Sequence, residues 1–70
     1  MNIVFDPKAD AVNIVFNKGK VAETREVGRE MFLDVDKNGE PLSLEILGVS
    51  ERFDLPDPNS FTFTVSRSPT

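Results

Sequence analysis

The chain has 70 residues, 39% hydrophobic and 29% charged, and eight Lys and Arg against twelve Asp and Glu set its net charge at −4. It contains no Cys and no His, which removes disulfides, thiolate nucleophiles, imidazole bases and the usual zinc ligands. Carboxylates, amines, guanidinium groups and hydroxyls remain for chemistry, and the acidic balance argues against nucleic acid, which requires a basic stripe.

A chain this short makes one domain, residues 1–70, and buries only about 60% of its unfolded surface. Leu, Ile, Val and Phe supply 22 residues, about 31% of the chain and above the roughly 20% of disordered sequences. Folding is therefore expected, helped by self-association. No stretch reaches the roughly 20 apolar residues of a membrane helix. The start Met-Asn-Ile-Val-Phe-Asp lacks the basic and apolar regions of a secretion signal. The expected location is the cytoplasm, with no membrane partner and no cofactor.

The pattern predicts short strands separated by turns. Asn2 to Phe5 is apolar and β-prone, and Asp6-Pro7 ends it, because Pro7 has no N–H and Asp6 can bond the backbone ahead. Ala11 to Phe16 follows, with Val12, Ile14 and Phe16 on one face and Asn13 and Val15 on the other. Asn17-Lys18-Gly19-Lys20 reads as a hairpin turn into Val21–Val27, whose Glu23, Thr24, Arg25 and Glu26 suit a half-exposed or edge strand. A helix over 20–27 lacks the apolar stripe it would need. Gly28-Arg29-Glu30 turns into Met31–Asp36, where Met31, Leu33 and Val35 alternate with Phe32, Asp34 and Asp36. Lys37-Asn38-Gly39 turns again, and Pro41–Leu47 returns with Leu42, Leu44 and Ile46 on one face.

Residues 48–59 are expected to hold one helical turn, capped by Ser50, and an irregular connector containing Pro56 and Pro58. Phe61, Phe63 and Val65 alternate with Thr62 and Thr64 and predict a last strand over 60–66, before a frayed tail over 67–70. The fold class is all-β or β-rich α+β: an antiparallel meander of five to six short strands, with 1–47 as its core and one short helical turn.

Residues 34–45 spell the calcium-loop pattern D-x-[DN]-x-[DN]-G-x5-E. Asp34, Asp36, Asn38 and Glu45 would be side-chain ligands, Glu40 a carbonyl ligand, and Gly39 the turn. The flanks alternate at period two, however, whereas a calcium loop joins helices. The favoured reading is a hairpin with an Asp-Lys-Asn-Gly tip. A weak cation site on these residues is the alternative. Asp34 with Asp36, or Asp34 with Glu45, also forms a pair of the acid–base kind. Such a pair needs a pocket, which a sheet this small does not provide, so no catalytic residue is assigned.

Most of the six Phe are expected in the core. Val4, Val15 and Phe32 fall on the second face, which the C-terminal segment or a second subunit would cover. The expected interaction surface is Val4, Val15, Phe32, Phe61 and Phe63.

Asp6-Pro7-Lys8-Ala9-Asp10-Ala11 followed by an alternating strand resembles the opening of the Domain of Unknown Function 2283 family of small prokaryotic proteins. Val21-Ala22-Glu23-Thr24, Glu26-Val27-Gly28, Phe32-Leu33-Asp34-Val35-Asp36, Asn38-Gly39 and Leu44-Glu45-Ile46-Leu47 are similar to its later segments. The similarity covers roughly residues 1–53. It implies a small β-rich domain without assigned enzymatic activity and an antitoxin-like role inferred from gene context. Phe5 stands where the family has Tyr, Asn13 where an aromatic is common, and Val15 where a charge is common.

The expected function is a non-enzymatic interaction module, a homodimer or higher oligomer, with a basic protein such as a cognate toxin as possible partner. The alternative is weak calcium binding through residues 34–45.

Overall fold

A computed structural model describes residues 1–55, 57 and 59–69. Pro56 and Pro58 of the expected connector, and Thr70 of the tail, lie outside the described residues. The strands are β1 (Asn2–Asp6), β2 (Ala11–Val15), β3 (Glu23–Gly28), β4 (Met31–Val35) and β5 (Pro41–Leu47), followed by the one-turn helix α1 (Val49–Arg52). They form a single antiparallel sheet in the order β1-β2-β5-β4-β3. The β-rich meander is therefore present, with five strands among the described residues.

Local chemistry sets each turn. Asp6 Oδ1 accepts the N–H groups of Lys8 (3.0 Å) and Ala9 (3.2 Å), which folds the chain back into β2. Arg29 and Glu30 join β3 to β4, with Glu30 at φ 55° and a register shift between Glu26 and Gly28. At the β4–β5 turn, Asp36 Oδ1 accepts the N–H groups of Asn38 (2.8 Å) and Glu40 (3.0 Å). Gly39 stands there at φ 80°, a backbone that glycine adopts freely.

The expected hairpin at residues 17–20 does not form. β2 pairs instead with β5, so that Val12 meets Ile46 and Ile14 meets Leu44. Residues 16–22 cross the end of the sheet to reach β3: Phe16 and Asn17 donate to the Leu42 carbonyl, and Ala22 donates to that of Val35. The reason is apolar matching. β5 carries three large aliphatic residues on one face, whereas β3 carries Glu23, Arg25 and Glu26 and is better placed at an edge.

Two further expectations are corrected. Residues 60–66 form no strand. Phe61 docks by its ring on Phe5, with centroids 5.8 Å apart, and Phe63 and Val65 stay exposed. Period-two alternation marks a segment that fits a sheet but does not supply it with a partner. Ser50 is not the helix cap either. Gly48 holds that position at φ 66°, and Ser50 lies inside α1.

Paired residues of antiparallel strands share a face, and the register sorts the side chains accordingly. One face carries Ile3, Phe5, Val12, Ile14, Met31, Leu33, Val35, Leu44 and Ile46. Val12, Ile46 and Val49 form its buried centre, with Ile3, Phe5, Ile14, Met31, Leu44, Leu55 and Phe61 packed around them. Leu42 and Val35 are buried at the other end, where Gly19 lies so close that a Cβ would stand 2.9 Å from Leu42 Cδ2. The molecule measures 38 × 36 × 19 Å with a radius of gyration of 13.5 Å, larger than the ~11 Å of a compact chain of this length. One sheet with a partial cover, rather than two full layers, accounts for this.

Candidate functional site

The opposite face carries Asn2, Val4 and Asp6 from β1, Ala11, Asn13 and Val15 from β2, and Ser43, Glu45 and Leu47 from β5. β4 adds Phe32 and Asp34, and β3 adds Thr24 and Glu26. Asp6, Glu26, Asp34 and Glu45 thus point from one side of the sheet, and no Lys or Arg of any strand joins them. Arg25 falls on the apolar side and pairs with Glu23 at 3.3 Å. Every strand carboxylate except Glu23 therefore lies on the polar face, and the negative potential there goes unneutralised within the strands.

Hydroxyls and amides occupy several of these oxygens. Asp34 accepts the Thr24 hydroxyl at one oxygen and the Ser43 hydroxyl (3.2 Å) at the other. Asp36 is in the turn, where its Oδ1 accepts the backbone N–H groups of Asn38 and Glu40. Glu45 stands on β5 between Asn13 and Phe32. Residues 34–45 are thus a β-hairpin, and Asp34, Asp36, Asn38 and Glu45 are spread along strand and turn. Among the described residues, no three acidic side chains converge as a metal site would require.

Shallow depressions lie among the described residues. One, of about 310 Å³, is lined by Arg29, Glu30, Glu51, Arg52 and Phe53. A second, of about 430 Å³, is lined by Lys20, Val21, Ala22, Asp36 and Lys37. Asp36 lines the second, but neither contains Asp34 or Glu45, so neither carboxylate pair considered from the sequence is complete in either depression. Among the described residues no helix is long and apolar enough to cross a membrane.

The five expected interaction residues divide between locations. Val4, Val15 and Phe32 do share the polar face: Val4 is half exposed, and Val15 and Phe32 are partly buried. Val4 and Val15 are diagonal neighbours on β1 and β2, and Phe32 lies beyond β5. Phe61 packs against Phe5 on the apolar side, and Phe63 is exposed in the C-terminal segment. Sequence reading missed Leu47, which faces Ala11 on the polar side. The alternation of β5, continued by one residue, would have placed it.

Comparison with curated proteins and with solved structures returned no match. The family model described as "Protein of unknown function (DUF2283)" matches residues 2–50, which include all five strands. The chain belongs to the DUF2283 family of proteins of unknown function.

Proposed function

We propose that the chain is a non-enzymatic protein-interaction module that self-associates and offers its acidic sheet face to a basic protein. The observation that supports this is the segregation of charge. Asp6, Glu26, Asp34 and Glu45 share a face without a strand cation, with Val4, Val15, Phe32 and Leu47 among them. Such a face combines long-range attraction for a cationic surface with apolar contacts that hold it once docked. A toxin-neutralising role is one form that such binding would take.

The test is a calorimetric titration with an amphipathic peptide of alternating Lys and Val. Binding is expected at low salt, weakened as salt rises and abolished by Glu26→Lys combined with Glu45→Lys. Binding that ignores both salt and charge reversal, or no binding at all, overturns the proposal.

A further inference from the structure

The two edges of the sheet are built differently. β3 carries Glu23, Arg25 and Glu26 and a register shift between Glu26 and Gly28. Charges and bulges are the devices by which an edge strand avoids pairing with another chain. β1 has neither. Ile3, Val4 and Phe5 run without a charge, the pairing with β2 has no register shift, and Pro7 falls beyond the strand. Among the described residues only β2 pairs with β1, and no backbone hydrogen bond joins the C-terminal segment to it.

We infer that β1 pairs antiparallel with β1 of a second copy, about a two-fold axis beside Val4, and so joins two five-stranded sheets into one. This rests on the self-association proposed above and names its surface. The register follows from the residues. Centred on Val4, the strand places Val4 opposite Val4, Ile3 opposite Phe5 and Asn2 opposite Asp6. Apolar side chains meet apolar ones, and an amide meets a carboxylate. Asp6 Oδ1 is held by Lys8 and Ala9, so the second carboxylate oxygen is the one that faces Asn2 across the axis. Centring on Phe5 would set Asp6 against Val4 and bring Pro7, which lacks an N–H, opposite Ile3. Centring on Ile3 would set Asn2 against Val4. A two-fold axis normal to the sheet keeps like faces together. The Phe5–Phe61 contacts then continue the apolar side across the junction, and the acidic faces form one surface of doubled width.

The chain has no cysteine, which allows a background-free cross-linking test. Val4→Cys, at a half-exposed position, is expected to form a disulfide-linked dimer under mild oxidation, because opposed residues lie within disulfide reach. Thr24→Cys on β3, at the far edge of the sheet, is expected to form no disulfide cross-link, while the non-covalent dimer remains. As a second arm, Val4→Lys and Val4→Glu alone are each expected to weaken dimerisation about tenfold or more, and their mixture to restore it. If the wild type sediments as a dimer but Val4→Cys does not cross-link, or Thr24→Cys cross-links instead, the β1 junction is overturned and self-association stands. If the wild type is monomeric at millimolar concentration, both are overturned.

Discussion

The Asp10 carboxylate accepts two hydrogen bonds from Ser50, one from its N–H at 3.0 Å and one from its hydroxyl at 2.7 Å. The Asp10 carbonyl also accepts the Val49 N–H at 3.1 Å. Asp10 thereby ties the β1–β2 turn to α1 and holds Val49, which is fully buried, over the core. Its backbone is left-handed, at φ 53°, a conformation Asp and Asn tolerate better than most residues. The Asp-Pro-Lys-Ala-Asp segment thus has two structural aspartates: Asp6 folds the turn, and Asp10 anchors the helix.

Asp10→Ala removes the acceptor for both Ser50 donors and places alanine at positive φ. It is expected to destabilise the domain by about 1–3 kcal/mol, which lowers Tm by roughly 4–8 °C per kcal/mol in a domain this small. Asp10→Asn, which keeps an oxygen acceptor and the turn preference, is expected to cost less. Thermal melts compare the two. Equal losses would show that the anchor does not depend on the acceptor.

Val49→Ala opens a cavity in the buried centre beside Val12 and Ile46. Two methyl groups and the void they leave amount to about 2 kcal/mol, a large share of the stability of a marginal domain. Urea unfolding checks this. A change below about 0.5 kcal/mol, the usual size for a surface site, would place Val49 outside the core.

The two C-terminal aromatics are expected to behave differently. Phe61→Ala loses the ring contact with Phe5 and part of the apolar cover, for about 1–2 kcal/mol. Phe63→Ala, at a half-exposed position, is expected to stay within about 0.5 kcal/mol. Equal effects in urea unfolding would contradict the docking of Phe61 alone.

Asp36→Ala removes the acceptor of the Asn38 and Glu40 N–H groups and is expected to cost about 1–2 kcal/mol. Millimolar calcium is expected to leave the Tm of the wild type unchanged. A calcium-dependent rise of several degrees, absent in Asp36→Ala, would establish the cation site instead.

Local pattern carried most of the fold. The alternation of Met31, Leu33 and Val35, and of Leu42, Leu44 and Ile46, marked β4 and β5, and Lys37-Asn38-Gly39 marked the turn between them. Which strands pair was not legible, because pairing is a competition among all strands, and an apolar β5 displaces a charged β3 from the side of β2. The bond between Asp10 and Ser50 spans forty positions, beyond the reach of any turn rule. Of the site, alternation alone was enough to put Val4, Val15 and Phe32 on one face. Phe61 was misgrouped with them because its side of the sheet depends on a tertiary contact with Phe5.

Self-association is the central claim, and sedimentation equilibrium of the wild type tests it most directly. The account predicts a species of twice the 7.8 kDa chain mass, which shifts toward 7.8 kDa in Val4→Lys. A single species at the chain mass across the whole concentration range would contradict it.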